Sequence, residues 1–399
     1  MLNKFSMHRN NKVILIAMLV ILSTYDSIVI PYLRISIADI SLLSIIFFLG
    51  LTYKGLKKSV YFVTIVLPIF LLINAIIYIL FILMHNKNLE IAVFVSGFLR
   101  PAMFIVIAIN IYYGLKSINL KNEDLYKSIC IGSILLSLVV ILQYFGIWPA
   151  QYHNNPSFGE SSRWTNFSEG WRPTGLSNEA SFTGIFLVLL LSFQLYIKQK
   201  LNRKEIFIYK YSSLFTLIGC FCTTSRLSLI IGLFIFAVQS NYMVKLVIAL
   251  TIMLIILFYD IELLSRITNL LTFDGDASTI ERYGSFLAYY KAIASGDYLM
   301  GTGYLNSSDV VLEFADPLVS EVLNNRTLPA FSLPLQLIFE LGIPLIFFLS
   351  VFCLWKLRNF MSSPLLALVI CSLFTGIQNF VFVYVFMALL IHAKNSFRK

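Results

Sequence analysis

The chain has 399 residues, of which 58% are hydrophobic and only 13% charged, and its mean hydropathy is +0.83. Soluble domains carry about 25% charged residues, so this composition excludes an ordinary soluble protein and predicts an all-α polytopic membrane protein. The net charge of +10 is distributed as membrane topology requires, so no nucleic-acid partner is expected. We interpret residues 1–399 as a single integral membrane domain.

Long apolar runs predict the spanning helices, because about 20 apolar residues cross a bilayer as a helix. The first run lacks a small-residue cleavage site and is interpreted as a retained helix. The last run is interrupted at residues 375–379. If it forms two helices, the chain has about twelve spans; if it forms one kinked helix, it has eleven. The predicted spans are 13–31, 35–53, 60–83, 91–113, 128–147, 180–197, 206–222, 227–243, 244–264, 333–355, 364–378 and 380–393.

Basic residues are divided unequally between the two sides of this topology. With the N-terminus inside, alternate connections carry sixteen lysines and four arginines, which predicts that both termini are cytoplasmic. The other side carries two lysines and eight arginines, and a guanidinium binds phosphate oxygens bidentately. We therefore predict a phosphate-bearing ligand on the outer side; pairing with loop acids or lipid headgroups is the competing interpretation. The outer arginines are Arg34, Arg100, Arg163, Arg172, Arg226, Arg266, Arg282 and Arg326.

Two long outer loops are predicted, at 148–179 and 265–332. The first contains three of the four tryptophans, which suit either the membrane interface or stacking on sugar rings. In the second, the spacing from Ser278 to Glu281 resembles a capping box, and aromatic and aliphatic residues recur at helical intervals. This pattern predicts an amphipathic helix over 279–294, ending near Gly296, with Arg282 in its first turn. The helix would lie on the membrane or cover the site.

Polar residues next to apolar spans mark the candidate site. Residues 171–184 read WRPTGLSNEASFTG, and polar side chains so close to a membrane segment are costly unless they have a use. Gln336 and Glu340 are four residues apart in a predicted span and would share a helix face. Such a carboxylate is a functional candidate, with structural pairing as the competing use. The cysteines all lie in apolar runs and are interpreted as packing thiols, and no metal or cofactor site is expected.

Four stretches in this order resemble the superfamily of O-antigen polymerases and ligases, bacterial inner-membrane glycosyltransferases. They are Arg172–Gly184 with its Arg…Gly…Asn-Glu…Gly pattern, Thr223–Arg226 with its Ser-Arg pair, the segment from Arg282 to Gly301-Thr302-Gly303, and Leu335–Gly342. The resemblance covers roughly residues 170–345. It implies a fold like that of the GT-C glycosyltransferases, with the active face in the periplasm.

The resemblance implies that a glycan leaves its undecaprenyl-diphosphate carrier for a hydroxyl of a second lipid-linked repeat unit. Donor and acceptor are then the partners, together with membrane lipids and, as a candidate, a chain-length regulator protein. Ligases of the superfamily carry a His-Asn pair where this chain has Phe331 and Ser332. That departure favours a polymerase over a ligase. A lipid-linked oligosaccharide flippase and a non-enzymatic assembly protein are two further hypotheses for a chain of this composition.

Roles follow for eight residues. Arg226 and Arg282 are expected to neutralise the departing diphosphate, and Glu179 either to accept the acceptor proton or to orient an arginine. A Glu179 paired with arginine would have a lowered pKa, which makes a poor base. The remaining candidates bind diphosphate or sugar: Arg172, Arg326, Asn178, Trp171 and Trp164.

Overall fold

The described part of the chain folds almost entirely as α-helices. The computed structural model describes residues 9–24, 29–30, 35–36, 69, 72–73, 75–84, 91–148, 173–177, 180–201, 207–223, 225–239, 277–303, 311–317, 332–348, 351, 362–374 and 381–397. The helices are α1 (Arg9–Ser23), α2 (Ala75–Met84), α3 (Ile91–Ser117), α4 (Asn122–Tyr144), α5 (Ala180–Leu201), α6 (Phe207–Cys222), α7 (Arg226–Gln239), α8 (Ala277–Ala294), α9 (Leu333–Leu341), α10 (Ser363–Phe374) and α11 (Val381–Phe397).

Most predicted spans that fall on described residues coincide with a helix. The first predicted span, 13–31, extends beyond the end of its helix. α1 stops at Ser23, and the Thr24 hydroxyl donates to the Ile21 carbonyl at 2.6 Å. Such hydroxyls compete with the helical hydrogen bonds. Val29–Ile30 and Ile35–Ser36 then pair as two short antiparallel strands, where helices were predicted. The rest of span 35–53, all of 244–264 and half of 60–83 lie outside the described residues.

The main core surrounds α5, which is buried on almost every side. α4, α6, α7 and α10 pack against it directly, and aromatic pairs join it to α11. The ring centroids of Phe186 and Phe382 are 4.6 Å apart, and those of Phe193 and Phe386 are 5.5 Å apart. A helix that is apolar on all sides can be covered in this way. α5 is therefore the axis around which the bundle is built.

One end of the bundle joins three separate segments by polar contacts. Arg9 forms salt bridges with Glu123 and Asp124 at the start of α4. The Lys12 ammonium donates to the Ile118 carbonyl at 2.7 Å, and His392 Nε2 lies 3.1 Å from the Leu120 carbonyl oxygen. The distribution of basic residues in the sequence assigns all three segments to the same side of the predicted topology. The packing therefore brings them together at one end, which we call the basic end.

A second core lies beside the main one. It is built by α2, α8, the segment 298–303, residues 311–315 and α9. The Phe339 ring is its centre, with the Tyr289 centroid at 5.5 Å and the Tyr298 centroid at 5.1 Å. α9 joins the two cores, because its first residue, Leu333, packs on the main core while Leu335 packs on the second.

Large apolar side chains remain exposed along the outside of several helices. α4 and α5 are each long and apolar enough to cross a membrane, and α2, α6, α7, α10 and α11 contain shorter apolar segments. On α4, α6, α7 and α10 the exposed residues recur every three or four positions, so each of these four helices presents an apolar outer face. They include Leu135, Leu138, Leu214, Ile218, Ile230, Phe234, Leu366, Val369 and Leu373.

Candidate active site

The turn that follows Arg172 in the sequence is anchored to the end of α4. The backbone N–H of Gly175 donates to Gln143 Oε1 at 2.7 Å, and Gln143 Nε2 donates to the Gly175 carbonyl at 3.0 Å. Gln143 is 1% exposed, so both bonds are shielded from solvent. The sequence reasoning missed Gln143. Its signal is an amide in the last turn of α4, directly after the apolar run 138–142, and such an amide is costly unless it is bonded.

The same turn also rests on the first helical turn of α5. The Thr183 hydroxyl donates to the Thr174 carbonyl and lies 3.0 Å from the Ser177 hydroxyl oxygen. The Ser177 N–H donates to the Thr174 carbonyl at 3.1 Å, which closes the turn. Thr174, Ser177 and Thr183 are all buried. Because α4 and α5 both hold it, the backbone between Pro173 and Ser177 has a fixed geometry.

Replacing Gln143 by leucine is expected to release this turn. The substitution keeps the approximate volume but leaves the buried N–H and carbonyl of Gly175 without their partners, which costs about 1–3 kcal/mol. We expect a lower melting temperature and reduced activity. Gln143→Glu, whose protonated carboxyl can accept from the Gly175 N–H and donate to the Gly175 carbonyl, should lose less when that carboxyl is protonated. The melting temperature is measured in detergent by a dye that labels the buried thiols of Cys130, Cys220 and Cys371 as the protein unfolds. Equal melting temperatures for Gln143→Leu and wild type would contradict the prediction.

The Thr-Ser-Arg segment forms a compact polar turn between α6 and α7. The hydroxyl oxygens of Thr223 and Ser228 are 3.1 Å apart, and the Ser225 N–H donates to Thr223 Oγ1 at 3.3 Å. Ser228 donates in turn to the Ser225 carbonyl at 2.9 Å. Arg226 is the first residue of α7, and the structure describes its backbone position. Ser228, like Thr183, was not identified from the sequence.

Gly184 brings the first two motifs into contact. A Cβ atom at Gly184 would lie 2.5 Å from Ser228 Oγ and 3.2 Å from Ser225 Cβ. The start of α5 therefore packs directly on the turn that carries Arg226, although more than forty residues separate them in the sequence. Small residues at such contacts let membrane helices approach closely.

Gly184→Ala is expected to push α5 and α7 apart. Overpacking of this kind costs about 1–3 kcal/mol, and the shift would move the turn before α7. Gly232→Ala in α7 is the matched control, because the nearest atom to its Cβ is 3.6 Å away, an ordinary contact. Activity and melting temperature should fall for Gly184→Ala and change little for Gly232→Ala. Equal behaviour of the two variants would show that the close contact is unimportant.

The third and fourth motifs are also joined to each other. The N–H groups of Thr302 and Gly303 donate to the carbonyls of Phe339 and Glu340 at 3.0 and 2.9 Å. The Ile343 N–H donates back to the Leu299 carbonyl at 2.9 Å. The last carbonyls of a helix otherwise lack partners, and here the Gly-Thr-Gly turn satisfies two of them. Its role in this structure is to hold the end of α9.

α9 carries the buried acid that the sequence singled out. The Gln336 side-chain amide donates to Glu340 Oε1 at 2.7 Å, so the two share a helix face as predicted. Glu340 is fully buried. Leu333 lies seven residues, or about two helical turns, before Glu340 and therefore on the same face of α9. Leu333 packs on the main core. The Gln336–Glu340 pair therefore lies on the side of α9 directed at the main bundle.

Tyr298 is a titratable group of the second core, where its ring contacts Phe339 of α9. Burial of its ring raises the pKa of the Tyr298 phenol, and the carboxylates of Glu313 and Asp297 raise it further. The phenol is therefore protonated at neutral pH and does not serve as a general base there.

Several predicted site residues lie outside the described residues: Trp164, Trp171, Arg172, Asn178, Glu179 and Arg326. Arg282 lies in α8, which begins at Ala277, so Arg282 belongs to its second turn and not its first as predicted. Ser278 is likewise inside the helix and not at its N-cap. The stop near Gly296 is confirmed, since α8 ends at Ala294. Among the residues that the structure describes, no group of three side chains could hold a metal ion.

Comparison with known proteins adds no family assignment. No protein-family model matches the chain, and no curated protein matches it.

Proposed function

We propose that the protein is a polytopic membrane glycosyltransferase of the O-antigen polymerase type. The observation that carries the membrane placement is the set of exposed apolar faces on α4, α6, α7 and α10. Soluble monomers rarely expose contiguous apolar patches larger than a few hundred Å². We infer that these faces contact lipid in the bacterial inner membrane, with the basic end in the cytoplasm and the opposite end in the periplasm.

The proposed reaction joins two lipid-linked repeat units. The bond between the anomeric carbon of the donor glycan and its diphosphate oxygen breaks, and the electron pair leaves with the undecaprenyl diphosphate. A hydroxyl oxygen of the acceptor sugar forms the new bond to that carbon and releases its proton to a base or to water. Negative charge grows on the diphosphate, so arginines near it stabilise the transition state.

The contacts among the motifs support this proposal. The turn after Arg172 rests on Thr183 of α5, and the adjacent Gly184 contacts the turn that carries Arg226. The Arg282 helix and the Glu340 helix pack together and share the second core. α9 connects both pairs, because it also packs on the main core and on α10. We propose that the donor diphosphate binds where these elements meet at the periplasmic end, with Glu179 and Glu340 as the candidate acids of the site.

A lipopolysaccharide gel tests the proposal in cells. In a strain lacking the gene, the ladder of long chains is expected to collapse to a single band of core plus one unit, and expression of this chain should restore the ladder. Loss of the one-unit band as well would point to transport or ligation and overturn the polymerase proposal. Purified protein in liposomes should convert undecaprenyl-diphosphate-linked units into longer glycans; a flippase would move the units without joining them.

A further inference from the structure

The second core leaves one face of α8 exposed. Tyr283, Phe286 and Tyr290 are 48%, 50% and 59% exposed and follow one another at helical spacing. The opposite face, with Ser285, Ala288, Tyr289 and Ala292, is buried, and α8 packs against α9. The sequence predicts the aromatic residues as the apolar face, and the structure shows that α9 does not cover them. We call Tyr283, Phe286 and Tyr290 the aromatic stripe.

The part of the molecule that contains the stripe exposes both polar and apolar surface. The acids Asp297, Glu313 and Asp316 are exposed, and carboxylates require water. The helix that follows Gly342 exposes Phe347 and Phe348, which are 64% and 71% exposed. A hydrogen bond from the Ile343 N–H to the Leu299 carbonyl ties that helix to the segment that follows α8. Water-exposed and lipid-compatible surfaces therefore meet in this part of the molecule.

The chemistry of the stripe suits the membrane interface. Tyrosine is enriched there because its ring is apolar and its phenol remains hydrated. Lys291 is exposed at the edge of the stripe and complements anionic headgroups. Leu299 and Met300, 44% and 48% exposed, extend the apolar surface beyond the end of α8. Helices that lie in the interface combine an aromatic and aliphatic face with flanking basic residues in this way.

The area of the stripe argues against a second copy of the chain as the occupant. An aromatic side chain buries about 150–250 Å², so three that are half exposed offer roughly 300 Å². A stable protein interface needs about 800 Å² on each partner. Insertion into a lipid interface has no such minimum.

We propose that the aromatic stripe of α8 inserts into the periplasmic leaflet at the level of the headgroups and the upper acyl chains. α8 is thus held against the membrane while its other face supports α9. The helix that carries Arg282 then lies in the plane in which lipid-linked substrates diffuse. This inference depends on the membrane placement in the proposed function, but not on the glycosyl transfer.

Spin-label accessibility in vesicles tests the insertion. Single cysteines would be introduced as Tyr283→Cys, Phe286→Cys and Tyr290→Cys in the full chain with its native cysteines replaced. The protein would be reconstituted in phosphatidylethanolamine and phosphatidylglycerol vesicles and labelled with a nitroxide. We expect collisions with oxygen to exceed collisions with a water-soluble nickel chelate at all three positions, the pattern of lipid exposure. Greater accessibility to nickel than to oxygen would mean that the stripe is exposed to water. Low accessibility to both would mean that a partner covers it. Either result would overturn the proposal.

Two control positions separate this test from that of the proposed function. Phe234→Cys, on the exposed face of α7, reports whether the bundle itself contacts lipid, and Asp316→Cys reports water exposure. If the label at 234 is in lipid and the stripe labels are in water, only the α8 inference fails. If the label at 234 is also in water, the membrane placement of the bundle fails as well.

Discussion

Arg226→Ala and Arg282→Ala are each expected to abolish long glycan chains while the protein still reaches the membrane. Each arginine is proposed to contact the diphosphate as its charge grows, and losing one such contact costs about 2–4 kcal/mol of transition-state stabilisation. That loss corresponds to roughly a hundredfold or greater fall in rate. On the lipopolysaccharide gel, a ladder should become a band of core plus one unit. Lysine at either position should recover part of the activity, because it keeps the charge and loses the planar fork.

Arg9→Ala is the matched control for the arginine variants. Arg9 pairs with Glu123 and Asp124 at the basic end; its own side chain is 54% exposed but that of Asp124 is 5%, so its removal is expected to lower stability without touching the proposed site. The ladder should remain intact in this variant. Normal ladders in Arg226→Ala and Arg282→Ala, at wild-type protein levels, would remove both residues from the proposed mechanism and leave the polymerase assignment to be decided by the liposome assay.

Gly342→Ala is expected to disrupt the junction between α9 and the Gly-Thr-Gly turn. Gly342 has φ +81, and a Cβ there would lie 2.5 Å from the Met300 carbonyl carbon and 2.6 Å from its oxygen. These are backbone atoms, so no side chain can rotate away to make room. The backbone conformation costs about 1–3 kcal/mol in a non-glycine residue, and the clash adds about 1–3 kcal/mol. We expect a marked fall in melting temperature and no detectable polymer.

Gly296→Ala is the comparison variant at a positive-φ glycine without a clash. Gly296 has nearly the same φ, +83, but nothing lies within 4 Å of its added Cβ. Only the conformational cost of about 1–2 kcal/mol applies, so this variant should retain activity. Thermal unfolding and the liposome assay would be run on both variants. Comparable losses would mean that the close approach of Gly342 to Met300 does not matter.

The sequence by itself determined where most helices lie. α5 follows from a long apolar run that begins at Ala180, and the helix break inside the predicted span 333–355 follows from Pro344 within that span. Helical spacing alone also placed Gln336 and Glu340 on one face. These features depend on neighbouring residues, so the physical reason is local: hydrophobicity, backbone conformation and the 3.6-residue repeat act within a few turns.

Only the tertiary structure decided how the motifs meet. The Gln143–Gly175 pair joins residues 32 positions apart, and the Thr302–Phe339 hydrogen bond joins residues 37 apart. No local pattern encodes such partners, because an amide or an N–H group can be satisfied by any suitable group that packing brings near. The orientation of α8 is the clearest case. The sequence predicted that the helix would lie on the membrane or cover the site, but not which face α9 would cover. α9 packs closely on the side with Ser285, Ala288 and Ala292, since small side chains allow helices to approach.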